Sequence, residues 1–501
     1  MTIRFFALAI LGSWLLSASP ASAGDGWLIR NARIVDGTGK PAYSADVRIS
    51  GDRIAAIGKL APRRGEAVVD AAGLVLAPGF IDTHSHHERG LAARPEALPV
   101  IAQGVTTIVI NQDGFGSAPL EEVFAAFTAS PVAVNIAAFS GHNYIRGRVM
   151  KDNASRPATP GEIEEMRALV HADMRAGALG LSSGLEYEPG RHATPDELMV
   201  LARAAAADGG RYISHIRSED RDIWPALDEL LAIGRDTGMP VQLSHAKLAM
   251  PDLWGQADRL IGVLEKARSE GIAVSADIYP YDYWYGLLDV LWPNRDFSNR
   301  ATADYIIQNI APPDALRLVG YPPEKALEGK TLAEIARARQ IDPAAALIEL
   351  AERAEAAGVS ARIVCRAMDP RDVARLMQWD HTNIGSDGFM ESPHPRGAGS
   401  FPRVLRVNVR EDGVLSLEEA VHKMSGLAAK HMGIRGRGEI RRGHFADLLL
   451  FDPATVADRA TIETPQAMPK GISRVWINGT LVFVNDAATG RLPGRVIRRD
   501  D

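Results

Sequence analysis

The 501-residue sequence contains a single cysteine, Cys365, which excludes an intramolecular disulfide and a cysteine-rich zinc module. It also lacks an excess of charge of either sign. With 56 Lys and Arg against 62 Asp and Glu, the net charge of −6 gives no electrostatic reason to expect a nucleic-acid partner. At 46% hydrophobic and 24% charged residues, the composition is that of a folded globular protein. The length predicts a large core domain with a smaller one attached.

Long hydrophobic runs are absent except near the N-terminus. Residues 5–16 form an apolar stretch between Arg4 and the small-residue sequence Ala21-Ser22-Ala23, which is the pattern of a secretory signal peptide. This stretch is shorter than the about 20 apolar residues of a membrane anchor, so we expect cleavage before Gly24. The sequence therefore predicts a signal peptide over residues 1–23, a secreted or periplasmic protein, and no membrane association after cleavage.

The two ends of the mature chain differ in pattern from its middle. Residues 24–73 and 427–501 consist of short β-type runs and turns, which predict one small β-sandwich domain built from both termini. Residues 74–426 alternate short apolar runs with amphipathic stretches, which is the pattern of parallel βα units. Eight such runs predict an α/β fold, a (β/α)8 TIM-like barrel. The predicted strands are Gly79–Asp82, Thr106–Asn111, Val132–Ala138, Gly177–Ser182, Tyr212–His215, Val241–His245, Ala273–Asp277 and Asn383–Asp387.

One stretch interrupts the barrel pattern. Residues 285–361 are too many for a plain connection and predict an insertion near the barrel mouth, where such segments often cover an active site. Arg362–Cys365 follows the insertion and is a candidate for a ninth barrel strand, an alternative to the count of eight. The aromatic-rich run 279–285 precedes the insertion, and it either walls a pocket for an apolar side chain or packs against the insertion.

Polar side chains gather at the predicted C-terminal ends of the strands, which is where a parallel barrel carries its active site. His-x-His on a strand places two imidazoles on one face, and imidazole with carboxylate is a ligand set that suits zinc. The sequence therefore predicts a metal site at this rim. The candidate ligands are His84, His86, Asp113, His215, His245 and Asp387.

Several stretches resemble a known family. Gly79–His86 resembles the opening motif of the amidohydrolase superfamily. Leu181–Gly190 and His394–Leu405 resemble one branch of it, the D-aminoacylases, or N-acyl-D-amino-acid deacylases. The resemblance covers the mature chain except the insertion. It implies a metal-dependent hydrolase that cleaves the amide bond of N-acyl-D-amino acids, or of dipeptides with a C-terminal D residue.

The resemblance also implies roles for the metal ligands. The tighter zinc would be held by His215, His245 and the residue at position 113. His84 and His86 would line a second, weaker position. Asp387 would lie near both and act as general base and then general acid on a metal-activated water.

Other residues are expected to meet the substrate. The resemblance implies that Tyr187, Lys247, Tyr279 and Arg396 contact it, the last three through a free carboxylate. The match around Tyr279 is loose, and Tyr281 is the alternative. His142 is a further candidate, for stabilising the oxyanion of the tetrahedral intermediate.

Position 113 departs from the family pattern. D-aminoacylases carry a cysteine ligand there, whereas this chain reads Gln112-Asp113-Gly114. The only cysteine, Cys365, is far away in the sequence and is predicted to be a buried apolar residue. A carboxylate can bridge two metals, but it is a harder donor than a thiolate. The expected cofactor is therefore one or two Zn²⁺, with another divalent metal as the alternative.

Two other classes of function fit parts of the sequence. The segment Gly180–Gly184 matches the G-x-S-x-G pattern of a serine hydrolase, although this reading leaves the clustered histidines unexplained. A non-catalytic protein that keeps the pocket but has lost turnover is the second alternative. In each case the expected partner is a small molecule.

Overall fold

The computed structural model describes residues 26–501, and the predicted signal peptide lies outside them. Its strands are β1 (Trp27–Ile34), β2 (Tyr43–Ser50), β3 (Arg53–Gly58), β4 (Ala67–Asp70), β5 (Val75–Pro78), β6 (Phe80–Asp82), β7 (Val105–Ile110), β8 (Asn135–Ala138), β9 (Ser140–Gly141), β10 (Gly180–Gly184), β11 (Arg211–His215), β12 (Val241–Leu243), β13 (Val274–Ile278), β14 (Tyr283–Leu287), β15 (Leu316–Gly320), β16 (Arg362–Arg366), β17 (Thr382–Ile384), β18 (Leu448–Phe451), β19 (Ile472–Ile477), β20 (Thr480–Val484) and β21 (Ala487–Ala488).

The α-helices are α1 (Leu98–Ile101), α2 (Leu120–Ala129), α3 (His142–Met150), α4 (Pro160–Ala176), α5 (Pro195–Ala207), α6 (Ile223–Thr237), α7 (Ala257–Ser269), α8 (Arg300–Tyr305), α9 (Leu332–Arg339), α10 (Pro343–Ala356), α11 (Pro370–Gln378), α12 (Arg396–Arg403), α13 (Leu417–Met424) and α14 (Gly426–Met432). Within residues 26–501, no helix combines the length and the apolar character needed to cross a bilayer.

Parallel strands form a barrel at the centre of the molecule. One sheet has the order β6-β7-β8 and the other has the order β17-β13-β12-β11-β10-β9. β8 and β9 are separated only by Phe139, whose N–H donates to the carbonyl oxygen of Ile110 in β7. The two short strands therefore count as one of the eight strands of the barrel. The ring closes where Asp387 N–H donates to His84 O at 2.7 Å. The predicted (β/α)8 barrel is confirmed.

The fourth barrel strand begins later than predicted because a helix ends where we placed the strand start. Thr159 and Glu162 form a capping box at the N-terminus of α4, and Pro160 occupies its first turn. Gly177 caps the other end in the left-handed conformation, with φ of 108°. The strand therefore starts at Gly180 rather than at Gly177.

Strands from both termini form one nine-stranded sheet, as predicted for the small β domain. The N–H of Ile54 in β3 donates to His444 O, just before β18, so the sheet curls back around its own core. Alternate residues of β18 serve two cores, because side chains alternate between the faces of a strand. Leu448 and Leu450 pack inside the sheet, whereas Leu449 and Phe451 pack against the barrel.

Leu449 provides a test of this second interface. It is fully buried between sheet and barrel, so Leu449→Ala is expected to destabilise the protein by about 2–5 kcal/mol through lost burial and an unfilled cavity. The measurement is the shift in the midpoint of chemical denaturation. Val68→Ala in β4 is the control: its side chain is 48% exposed, and its midpoint should not move. Equal midpoints for the two variants would contradict the packing described.

The insertion forms a separate antiparallel sheet with the order β14-β16-β15 and has its own apolar core. Arg362–Cys365 lies in β16, the central strand of this sheet, so the alternative of a ninth barrel strand is wrong. Its short apolar run between two arginines indicates a strand but not the neighbour with which that strand pairs. Cys365 is fully buried opposite Trp284 of β14, as expected for an apolar residue.

Candidate metal centre and pocket

Six polar side chains converge at the C-terminal ends of five barrel strands. All six are buried, and all six are residues that the sequence predicted as ligands. They are His84 and His86 after β6, Asp113 after β7, His215 at the end of β11, His245 after β12 and Asp387 after β17. The structure therefore brings together every residue that the strand-end pattern predicted as a metal ligand.

Asp113 lies between two groups of ligands and turns one oxygen toward each. Its Oδ2 is 3.3 Å from His84 Nε2 and 3.2 Å from His86 Nε2. Its Oδ1 is 3.5 Å from His245 Nε2, and that nitrogen is 3.0 Å from His215 Nδ1. Asp387 belongs to the first group, with Oδ1 3.3 Å from His86 Nε2. The six residues thus form two ligand sets that share Asp113.

These spacings fit two divalent cations. Nitrogen and oxygen ligands placed 2.0–2.2 Å from a tetrahedral ion lie about 3.3–3.6 Å from one another. The distances from the Asp113 oxygens to the imidazole nitrogens, 3.2, 3.3 and 3.5 Å, lie close to this range. Asp113 Oδ1 is also buried without a hydrogen-bond partner among the described residues, as expected for an atom positioned to coordinate a metal.

The charges around the histidines favour a cation. Burial alone would lower the pKa of His84, but Asp113 and Asp277 raise it well above its ordinary value. Burial and Lys247 lower the pKa of His245, yet Glu219 and Asp113 raise it to about 9. The carboxylates therefore hold positive charge at these imidazoles. A metal ion and a proton are alternatives at a ligating nitrogen, so this field stabilises either.

Three of the ligands have a backbone conformation that is uncommon outside glycine. The φ angles are 55° at Asp113, 32° at His245 and 48° at Asp387. Aspartate tolerates this left-handed region better than most residues do, and histidine is also enriched there. The conformation turns the chain at the end of each strand, and such strained positions cluster at functional sites.

Three carboxylates that the sequence analysis did not predict as site residues hold the ligands in place. Asp277 accepts the backbone N–H of His245 at 2.8 Å and lies 3.4 Å from His84 Nδ1. Glu219 lies 2.9 Å from His245 Nδ1, and Glu186 lies 2.9 Å from His215 Nε2. Such carboxylate partners orient metal-binding imidazoles. Asp277 ends the seventh predicted strand at the same rim, so the strand-end pattern that identified the ligands also points to Asp277.

A pocket beside the metal ligands contains the residues expected to meet the substrate. It is lined by Tyr187, Lys247, Tyr279 and Arg396 together with Asp387. Arg396 Nη1 lies 2.7 Å from Asp387 Oδ2, and its guanidinium carbon is 4.8 Å from the ring centre of Tyr279. Burial raises the pKa of the Tyr279 hydroxyl, which therefore stays protonated.

The structure distinguishes Tyr279 from Tyr281 as the tyrosine expected to contact the substrate. Tyr279 faces the pocket, and its buried hydroxyl has no hydrogen-bond partner among the described residues. The hydroxyl of Tyr281 instead donates to Pro395 O at 3.4 Å, and its ring does not line this pocket.

His142 is not brought into this pocket. It begins α3, where its Nε2 lies 2.9 Å from Glu197 Oε1 and its Nδ1 lies 3.3 Å from Asn143 Oδ1. Arg146 pairs with the same Glu197, so His142 belongs to a separate buried polar cluster. The expected contribution of His142 to the oxyanion has no support in this arrangement.

The structure does not show the geometry that a serine hydrolase requires around Ser182. Gly180–Gly184 is strand β10 itself rather than a turn between strand and helix. The hydroxyl of Ser182 donates to Asn111 O and accepts the N–H of Gly114. Within residues 26–501, no histidine is hydrogen bonded to Ser182, so the serine has no base to activate it.

The barrel and its shared-carboxylate ligand set define a class, the metal-dependent barrel hydrolases. Comparison with known proteins narrows this class. A model of the amidohydrolase family matches residues 67–483, and the chain belongs to this family.

Characterised relatives resemble the chain over nearly its whole length. It is 38% identical to the D-aminoacylase of Alcaligenes xylosoxydans xylosoxydans, over 94% of this chain and 97% of that protein. Its identity to the N-acyl-D-glutamate deacylase of the same organism is also 38%, over 94% and 96%. The crystal structure of the N-acyl-D-glutamate deacylase of Bordetella bronchiseptica, complexed with zinc and a phosphonate inhibitor, matches with a TM-score of 0.85. It is 35% identical and covers 95% of this chain and 100% of that one.

Proposed function

We propose that this protein is a metal-dependent N-acyl-D-amino-acid deacylase, which hydrolyses the amide bond to release a carboxylate and a free D-amino acid. The observation that carries the proposal is the position of Asp387 between the metal ligands and the pocket. One of its oxygens lies 3.3 Å from His86, and the other lies 2.7 Å from Arg396. A single carboxylate thus adjoins both the ligand cluster and the groups that would hold an anionic substrate.

Asp387 performs the proton transfers in this proposal. The two ligand sets would hold one or two divalent ions, zinc in the simplest case, and a bound ion would supply Lewis acidity toward water and the amide carbonyl. Asp387 takes a proton from the water as its oxygen attacks the acyl carbon. Asp387 then delivers that proton to the amide nitrogen as the C–N bond breaks. Burial would raise the pKa of Asp387, but the charges of Arg396 and the histidines hold it below its ordinary value, so the carboxylate is ionised.

The free carboxylate of the substrate would be held at the other side of the pocket. Arg396 Nε and the Tyr279 hydroxyl are buried donors without a partner among the described residues, so both are available to a carboxylate. Lys247 donates to both oxygens of Glu219 at 2.7 Å, which fixes its position and keeps it charged. The set supports recognition of a substrate that ends in a carboxylate.

Tyr279→Phe tests this recognition. The variant removes one hydrogen bond to the substrate carboxylate, so kcat/KM for an N-acyl-D-amino acid should fall about 10- to 100-fold, mainly through KM. Tyr281→Phe is the matched control, because that hydroxyl makes a weak bond outside the pocket, and its kinetics should stay within about twofold. An unchanged KM in Tyr279→Phe would remove the hydroxyl from the binding site.

The proposed function itself is tested by metal analysis combined with a substrate panel. The purified protein should contain one or two divalent ions per chain and hydrolyse N-acetyl-D-amino acids in preference to the L enantiomers. Activity should disappear with a chelator and return with Zn²⁺. Inactivation by a serine-reactive phosphonate alone, or preference for the L enantiomers, would overturn the proposal. Metal binding without hydrolysis of any N-acyl amino acid or dipeptide would instead favour a binding protein.

A further inference from the structure

The insertion contributes an apolar surface to the substrate pocket. Trp284 and Tyr285 come from β14, Val290 and Leu291 from the helical turn Leu288–Leu291, and Ile310 from the turn Ile306–Ile310. We call these five residues the apolar wall. Leu291 and Ile310 are buried in the core of the insertion, and Trp284 packs against both that core and the barrel. The wall is therefore a fixed surface supported from behind.

The wall adjoins the groups that would hold the substrate carboxylate. The ring centre of Tyr285 lies 5.8 Å from the guanidinium carbon of Arg396. In an amino acid, the carboxylate and the side chain are bonded to the same α-carbon. A surface beside the carboxylate-binding groups therefore meets the amino-acid side chain, whereas the acyl carbon lies toward Asp387 and the metal ligands.

The charges of the pocket oppose an acidic side chain. Among residues 26–501, the lysine and arginine residues that line it are Lys247 and Arg396, and both are assigned to the α-carboxylate. Glu186, Glu219 and Asp220 line the same pocket. A second carboxylate on the substrate would therefore be buried without a partner and next to like charges, which is strongly unfavourable.

From these observations we propose that the apolar wall is the specificity determinant of the enzyme and selects N-acyl-D-amino acids with apolar side chains, such as leucine, methionine and phenylalanine, over those with acidic side chains. The proposal rests on the proposed deacylase function. It goes beyond the overall similarity, because the chain is equally identical, at 38%, to a D-aminoacylase and to an N-acyl-D-glutamate deacylase.

The wild-type enzyme provides the first test. We expect kcat/KM for N-acetyl-D-leucine and N-acetyl-D-methionine to exceed that for N-acetyl-D-glutamate by at least about 100-fold. N-acetyl-D-glutamine, which matches glutamate in shape without its charge, should fall between them. Equal or greater activity toward N-acetyl-D-glutamate would overturn this inference while leaving the deacylase function intact. Absence of hydrolysis across the whole panel would instead overturn the proposed function.

Val290→Lys tests the role of the wall directly. Val290 is half-buried, so a lysine there can reach water while placing a cation in the pocket. The ratio of kcat/KM for N-acetyl-D-glutamate to that for N-acetyl-D-leucine should rise at least about tenfold. Val359→Lys is the control, because Val359 belongs to the insertion, is 36% exposed and does not line this pocket.

A second series of substrates tests whether the apolar wall contacts the amino-acid side chain or the acyl group. N-acyl-D-alanines with acyl chains of two to eight carbons should show the same length profile in wild type and Val290→Lys. A changed acyl profile with an unchanged glutamate-to-leucine ratio would assign the wall to the acyl group and overturn the inference.

Discussion

Asp113→Ala is expected to lower kcat/KM by at least about 1,000-fold and to release most of the bound metal. This one side chain completes both ligand sets, with Oδ2 near His84 and His86 and Oδ1 near His245. Its loss would remove a ligand from each position at once. Lewis-acid stabilisation is worth several kcal/mol, and each 1.36 kcal/mol is a factor of ten in rate, so a loss of this size follows. The measurements are the metal content after dialysis and the steady-state kinetics.

Asp113→Asn is the control that separates ligation from folding. Asparagine has the same shape, and it tolerates the left-handed φ of 55° at this position as well as aspartate does. It retains only one good ligating oxygen and no charge. We therefore expect a folded protein with a normal denaturation midpoint, at most one bound ion and activity nearly as low as that of Asp113→Ala. Full metal content and activity in Asp113→Asn would contradict the shared-ligand arrangement.

The prediction of Asp113 shows what a strand-end pattern can and cannot provide. Parallel strands end at one rim, so a polar residue just after β7 was expected to lie near those after β6 and β12. The division of its two oxygens between two ligand sets depends on the rotation of a single side chain, which no spacing in the sequence encodes. The pattern therefore identified the residue, and the structure revealed how it is shared.

The supporting carboxylates differ in how far the sequence could have found them. Asp277 ends a predicted strand at the functional rim and carries the same signal as the ligands. Glu219 lies in the loop after β11, where an acidic residue is ordinary, and only the tertiary fold brings it to His245 and Lys247. The insertion shows a similar limit of sequence reasoning, since the apolar run Ile363–Cys365 predicts a strand equally well in a barrel or in an antiparallel sheet.

Asp387→Asn is expected to lower kcat about 10²- to 10⁴-fold, the usual contribution of a positioned general acid–base group. KM should change little, because Asp387 does not belong to the set of donors for the substrate carboxylate. His84, His86 and Asp113 remain at the first ligand set, so the metal content should stay within the range of the wild type. Kinetics and metal analysis of the same preparation separate loss of proton transfer from loss of metal.

Asp220→Asn is the matched control for this variant. Asp220 lines the same pocket, but its Oδ1 accepts hydrogen bonds from Ser218 and Arg221 rather than approaching the metal ligands. The same change of charge there should alter kcat by no more than a few-fold. A comparable loss in both variants would mean that the pocket needs negative charge in general and that Asp387 has no special role.

The leaving group provides a sharper test of proton delivery by Asp387. An amide nitrogen must be protonated before the amine can leave, whereas the alcohol of an ester analogue, the O-acyl-D-2-hydroxy acid, leaves with much less assistance. If Asp387 delivers the proton, Asp387→Asn should lose less activity toward the ester than toward the amide, because the ester needs the carboxylate only as a base. Equal losses on both substrates would restrict Asp387 to activating the water and would require another group to protonate the amine.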